Sequence, residues 1–547
     1  MRTRGRVGAG VSRAVVALAV LAALALPAVA KSQGTEPVPP GVAAAISQVT
    51  SQPRYAHAVF GFGVRDLASG QVLFEQSGDT PFVPASIMKS FSTSGALNAL
   101  GPDYRFRTPV FRTGRVRRGV LRRNLVLVAS GDMSLGLREK PGGSLFFDSA
   151  PNFDHTYANA GLHTVPVDGN PLAGLNSLAR QVARSGIRRV AGDVVIDDRL
   201  FKTFFGWPDV SVSPASPIVV NDNRIDITTI PGARAGDRAT VRWRPHTAAY
   251  RVRGRPRTVA AGSETALNVT QPSPGVFEVS GQIAADAGPT LRVGEIPDPA
   301  AFARTAFIQA LERAGVEVAA RRTGPNPRML LPRRRSYRVG RRVALHVSAT
   351  LKEFTKVVLK TSHNPGADLM ACLNAVGIGS RDCEDGLVAE TSYFTGLGVD
   401  PASVYIFDGA GGVERERVTP NAMTAFFRAI ELARPSGQPP QPSRPIGDAF
   451  RESLAVLGRD GDLAQSQRDS PAAGHVRAKT GTSASFTPAG QGILTARNFV
   501  AYVDAKSGRQ VVVAVMIGGR VPVTSIDDIF SVANDGEAIA AAMQQGY

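Results

Sequence analysis

Cysteine is nearly missing from this 547-residue chain, which holds only Cys372 and Cys383. So small a supply excludes a disulfide-stapled scaffold and a thiolate-built zinc site. The pair leaves two readings open: one disulfide with ten residues between its ends, or two buried free thiols. Histidine is also scarce. Its seven copies show no H-x-x-H or H-E-x-x-H spacing, so neither a metal nor another cofactor is expected. Acidic residues run short as well, with 45 Asp and Glu against 63 Lys and Arg, a formal net charge of +18. Long apolar runs are lacking beyond residue 26, so no later segment reaches the roughly 20 residues of a membrane span.

What is present begins with a leader. Arg2, Arg4, Arg6 and Arg13 precede an apolar run from Val15 to Leu26, which is too short to anchor. Pro27-Ala28-Val29-Ala30 then offers small residues in an A-x-A arrangement, so residues 1–30 are expected to be a signal peptide removed on export. The net charge is +14 once the leader's four arginines are set aside. The basic residues are mostly arginine and cluster in 112–123 and 333–342. On an exported protein they would attract anionic wall polymers or lipid head groups. No nucleic-acid-binding motif accompanies the charge, and nucleic acid is not expected as a partner.

Alternating apolar residues in Ala58 to Asp66 and Gln71 to Glu75 predict a hairpin about Ala68-Ser69-Gly70. Ala85 to Leu100 reads as a helix stopped by Gly101-Pro102. Phe499 to Val503 and Val511 to Ile517 predict a second hairpin about Lys506-Ser507-Gly508. Strands near both ends suggest an α/β (α+β) domain whose sheet both termini complete. Between them lie short β-type runs, including Asn124 to Val128, Val190 to Asp197, Arg224 to Thr229, Ala239 to Trp243 and Val276 to Ile283, with a helix over Pro299 to Ala314. The expected division is residues 31–110 and 342–547 for one domain, with 111–341 an inserted, mainly β accessory region. Residues 434–445 read as a surface loop of Pro, Gln and Ser.

Three short motifs occur once each: Ser86-Ile-Met-Lys89, Ser362-His-Asn364 and Lys479-Thr-Gly481. Ser86 and Lys89 sit at i and i+3, on one face of a helix near its N-terminus. Lys89 can act as a base only when neutral, which burial and a second cation, Lys479, would favour. Ser362 and Asn364 fall on a tight connection between two helical patterns, Leu351 to Lys360 and the segment opened by Pro365. There Asn364 is expected as the N-cap, with His363 turned away from the reaction. Thr480 and Thr482 on a strand edge can hold a carboxylate, and Gly481 permits close approach. Each tripeptide alone reads as an ordinary helix, capping turn or strand end. Their coincidence supplies a nucleophile, a proton acceptor, a hydroxyl relay and an amide for acyl transfer through a serine ester.

With these motifs the chain resembles the low-molecular-mass class C penicillin-binding proteins, which are D-alanyl-D-alanine carboxypeptidases and endopeptidases. Ser130-Gly131-Asp132-Met133-Ser134-Leu135, Gly192 to Asp198, Val220 to Asn223, and Asp408-Gly409-Ala410-Gly411 through Arg417-Val418-Thr419-Pro420 are similar to further family segments. Met133, Ala410 and Gly412 to Glu414 depart from the family pattern. The resemblance implies a penicilloyl-serine-transferase (β-lactamase-like) domain: a five-stranded antiparallel sheet flanked by helices, with the insertion as accessory lobes. It also implies that Ser86 attacks, Lys89 serves as base, and Ser362 relays a proton while bonded to both Lys89 and Lys479. Asn364 would orient the substrate amide, and Lys479, Thr480, Gly481 and Thr482 would bind the terminal carboxylate. The implied substrates are peptidoglycan stem peptides and cross-links, with β-lactams as covalent inhibitors. A β-lactamase and a catalytically weakened wall-binding protein are the rival readings. The first lacks a recognisable Glu loop, and intact motifs argue against the second.

Overall fold

Apolar runs without polar alternation need cover on both faces, and Phe499 to Val503 and Val511 to Ile517 find it in the two middle strands of the main sheet, Gly492–Asp504 and Gln510–Val523. The computed structural model describes residues 36–204, 214–433, 446–489 and 491–547. The expected signal peptide and the 434–445 loop lie outside the described residues. The main sheet is antiparallel and built from β1 (Ala58–Asp66), β2 (Val72–Gln76), β3 (Ala455–Val456), β4 (Val476–Phe486), β5 (Gly492–Asp504) and β6 (Gln510–Val523). Their order is β2-β1-β6-β5-β4-β3, so the two ends of the chain meet at the β1–β6 pair. The sheet has six strands rather than five, because the two-residue β3 adds to the outer edge of β4.

The period-2 alternation of strands assigns the two faces. Phe62 of β1, Phe499 and Ala501 of β5 and Val513 and Val515 of β6 pack beneath helices α1 (Pro40–Thr50) and α8 (Ile526–Gly546). Val500, Tyr502, Val512, Ala514 and Met516 face the other way, into a core with Phe91, Phe354, Phe426 and Phe427. That core is built by α2 (Lys89–Leu100), α3 (Leu351–Lys360), α4 (Asn364–Gly377), α5 (Cys383–Gly396), α6 (Pro420–Leu432) and α7 (Ile446–Ser453). Phe91 stacks on Phe426 with ring centroids 4.1 Å apart, a contact worth about 1 kcal/mol beyond its area.

Helix α2 is buried from Lys89 through Leu97, as expected for a helix without a polar face to spare. Its Ser, Thr, Gly and Ala residues let neighbours approach, and a β-carbon at Gly95 would stand 2.7 Å from Asn374 Nδ2. The predicted continuous helix over Ala85 to Leu100 is divided in two. A 3-10 turn, Ala85–Met88, precedes α2, with Ala85 at φ 48°.

Arg105–Arg112 runs antiparallel to Arg342–Thr350, in a sheet completed by Leu125–Val128 and Val194–Asp197. Among the described residues between them are further small sheets and the helices Ala173–Arg184 and Pro299–Arg313, about a second apolar core. The run expected as one strand over Val190 to Asp197 is broken into Arg189–Val190 and Val194–Asp197. Gly192 lies in the gap, where a β-carbon would stand 2.4 Å from Asn124 Oδ1. Cys372 and Cys383 form a disulfide tying α4 to the start of α5, which settles the two readings left by the sequence. Among the described residues, no helix is long and apolar enough to cross a membrane.

Candidate active site

The first motif occupies the 3-10 turn ahead of α2, pressed against the middle of β4. Asn498 of β5 donates from Nδ2 to the carbonyls of Val83 and Pro84, both at 2.8 Å, pinning this turn to the sheet. Gly411, at φ 83°, lies beneath it. A β-carbon there would come within 1.9 Å of the Ala85 carbonyl, so only glycine fits.

Lys89 is wholly buried and its Nζ donates to Ser86 Oγ at 2.6 Å and to the Ala410 carbonyl at 2.7 Å. Burial, and then the neighbouring Lys479, bring its pKa down to about 7. Three buried acids, Asp408, Asp368 and Glu416, pull the other way. Burial, and then proximity to Asp408, push the Asp368 and Glu416 carboxyls well above the usual carboxylate range. The Asp408 carboxylate accepts from the backbone N–H groups of Ala410 (2.8 Å), Gly411 (2.6 Å) and Gly412 (3.1 Å). That loop geometry holds the Ala410 carbonyl on Lys89. Ala410, which departs from the family pattern, makes this contact through its main chain.

The second motif lies on the α3–α4 connection, where Ser362 has φ 57°, a left-handed conformation unusual for serine. Lys479 Nζ donates to Ser362 Oγ at 3.0 Å and to the Thr480 carbonyl at 2.8 Å. Lys89 bonds Ser86 and Ala410 and makes no hydrogen bond to Ser362, which is tied to Lys479 and not suspended between two amines as expected. The N-cap of α4 is His363, whose Nδ1 accepts from the Gly366 N–H at 2.9 Å, and not Asn364. Capping turns the His363 ring inward, away from the cleft, and leaves the Asn364 side chain free to meet Tyr157, whose hydroxyl donates to Asn364 Oδ1 at 3.4 Å.

The third motif lies within β4, not at its end. Lys479 is wholly buried, and burial brings its pKa down to about 8; Arg497 adds to the depression while Asp462 opposes it. Thr480 donates to Asp462, and Arg497 donates from Nη1 to Thr482 Oγ1 at 2.8 Å. Arg497 is itself held by the buried Glu537 of α8. Ser86, Ser362, Thr480, Thr482, Asp462 and Arg497 all line one cleft of about 810 Å³. Sequence reasoning missed Tyr157, Asp462, Arg497 and Asn498. The last two stand opposite Thr482 and Gly481 in the β4–β5 register, which no linear motif reveals.

A turn carrying Ser86 between an antiparallel sheet and an all-helical layer, beside two lysines of lowered pKa, fits the class of penicillin-binding serine acyl enzymes. The chain matches the model of the D-Ala-D-Ala carboxypeptidase 3 (S13) family over residues 42–534, and it belongs to that family, a serine-type carboxypeptidase among the low-molecular-mass class C penicillin-binding proteins. It is 28% identical over 507 residues to a D-alanyl-D-alanine carboxypeptidase of Actinomadura sp. (strain R39), covering 88% of this chain and 84% of that one. It is 22% identical over 384 residues to the D-alanyl-D-alanine carboxypeptidase DacB of Haemophilus influenzae, covering 68% and 70%. The crystal structure of penicillin binding protein 4 (dacB) from Haemophilus influenzae superposes with a TM-score of 0.68 at 19% identity, covering 91% of this chain and 99% of that one. The same protein complexed with a β-lactam gives 0.62.

Proposed function

We propose that Ser86 is the nucleophile that cleaves D-alanyl-D-alanine in peptidoglycan stem peptides, and the equivalent bond in peptide cross-links, through an acyl-serine intermediate that β-lactams also form. The observation that carries this reading is the buried Lys89 amine 2.6 Å from Ser86 Oγ with its pKa near 7. Neutral Lys89 takes the hydroxyl proton as Ser86 Oγ bonds to the carbonyl carbon between the two D-alanines. The backbone N–H groups of Ser86 and Thr482 receive the developing oxyanion, at about 3 kcal/mol per donor. Collapse expels the leaving amine, which gains its proton through Ser362, and water then hydrolyses the ester. Asn364 orients the substrate amide. Thr480, Thr482 and the charge on Lys479 hold the terminal carboxylate across the bare Gly481, and Arg497 adds a second cation beside Thr482.

In this reading residues 31–110 and 342–547 form the catalytic domain, 111–341 an inserted accessory region, and 1–30 a signal peptide that sends the protein to the periplasm or cell exterior. Incubation with fluorescent penicillin tests it. Stable labelling that Ser86→Ala abolishes supports the assignment; rapid turnover points to a β-lactamase, and no labelling to a wall-binding scaffold. Product masses from purified muropeptides then separate carboxypeptidase from endopeptidase cleavage.

A second surface supports wall association. Arg115, Arg117, Arg122, Arg338, Arg341 and Arg342 are exposed, and their two segments adjoin where Phe111 stacks on Tyr337 at 4.9 Å. Residues 105–124 and 328–352 contain no Asp or Glu, a surface suited to an anionic phosphodiester wall polymer. Binding of the protein to such a polymer should fall steeply as salt rises, and salt-independent binding would speak against it.

A further inference from the structure

A buried ionic cluster lies directly behind the Ser362–Asn364 turn. Its acids are Asp154, Asp222 and Asp226, each at most 3% exposed, and its cations Arg138, His155 and Arg244. His155 bonds Asp226 Oδ1 through Nδ1 at 2.6 Å and Asp222 Oδ2 through Nε2 at 2.8 Å. The two carboxylates outweigh burial and raise its pKa to about 10, so the ring is an imidazolium that donates at both ends. Arg138 Nη2 bridges Asp154 at 2.7 Å and Asp222 at 2.9 Å. All these groups come from residues 138–244, far in sequence from the turn.

The cluster reaches the turn through His363. Its Nδ1 accepts the Gly366 N–H, and its Nε2 faces Asp222 Oδ1 at 3.4 Å, a polar approach short of a hydrogen bond. Adjacent to the cluster in sequence, Tyr157 donates to the Ser362 carbonyl, and its hydroxyl also meets Asn364 Oδ1. Ser362 and Asn364 are therefore held, and His363 approached, from outside the main sheet and its helices. The grip has a physical reason, because left-handed Ser362 persists only where its surroundings over-determine it.

We propose that Tyr157 and Asp222 are positioning residues for acyl transfer, holding the Ser362–Asn364 turn in the conformation that presents the Ser362 hydroxyl and the Asn364 amide to the cleft. This rests on the roles given to Ser362 and Asn364 above. It makes the segment around 138–244 part of the catalytic apparatus rather than an appendage.

The test uses the full-length protein and a D-Ala-D-Ala peptide substrate. Tyr157→Phe removes one hydroxyl and keeps the ring. We expect kcat to fall about tenfold, with KM and Tm near their original values. A fall in Tm with kcat preserved, or an unchanged kcat, would overturn the proposal. Asp222→Asn should lower kcat further; should that variant fail to fold, Tyr157→Phe alone decides. Ser362→Ala separates the two levels of inference. If it leaves kcat intact, the role of Ser362 fails; if it lowers kcat while Tyr157→Phe does not, only the positioning role fails.

Discussion

Gly481 faces Pro84 so closely that a β-carbon on it would stand 2.5 Å from the Pro84 carbonyl oxygen, 3.1 Å from the Ile87 nitrogen and 3.2 Å from the Ser86 nitrogen. The absent side chain sets the distance between β4 and the Ser86 turn. Backbone atoms, unlike a flexible side chain, cannot yield to a methyl group without moving the turn. We predict that Gly481→Ala lowers the rate of penicillin acylation at least a hundredfold while circular dichroism stays native. Acylation at the original rate would show that this spacing is not needed.

The two lysines set the pH dependence. Below about pH 7 Lys89 is protonated and cannot take the Ser86 proton; above about pH 8 Lys479 loses the charge that favours a carboxylate. The acylation rate should therefore follow a bell with its maximum between these values, both limbs belonging to the coupled pair. A rate flat from pH 5 to 9 would contradict a lysine base.

Both amines sit below their ordinary value of 10.5, so the unfolded chain binds more protons between about pH 7 and 10.5. Stability should rise with pH across that window. For the same reason Lys89→Met should raise Tm at pH 7 while abolishing acylation, since it removes a desolvated amine from the core. A lower Tm in the mutant would argue that the amine is stabilising.

Arg497 should matter to substrate binding more than to chemistry. Arg497→Gln is expected to raise KM for a D-Ala-D-Ala peptide about tenfold and to change kcat less, as loss of a charge-assisted contact does. Arg497→Lys, which keeps the charge facing Glu537, should recover part of the loss. Equal falls in kcat for both variants would place the residue in the chemical step.

The Cys372–Cys383 disulfide closes a short loop at the far end of α4 from the motif turn. Its removal by a double alanine substitution should cost about 2–3 kcal/mol of stability, seen as a lower denaturation midpoint, with penicillin labelling unchanged. Lost labelling in the folded variant would tie the bridge to the site.

Much of the proposed catalytic kit was legible in the sequence because its motifs are local. Ser86 and Lys89 keep their three-residue spacing across a 3-10 turn and the first residue of α2, and apolar runs of Phe499 to Val503 and Val511 to Ile517 announce strands without reference to distant residues. Local grammar failed where one residue chose between two partners. The His363 ring supplied the cap that Asn364 was expected to provide, and Lys89 bonded the Ala410 carbonyl instead of Ser362.

Sequence alone thus determined the order of chemical groups, the family pattern they make and the strand and helix periods that carry them. The tertiary structure decided which amine serves which hydroxyl, that Arg497 and Asn498 face Thr482 and Gly481, and that a buried charge cluster backs the Ser362 turn. The physical reason is range. Periodicity and capping act over a few residues, whereas desolvation and cross-strand register depend on what hundreds of other positions place nearby.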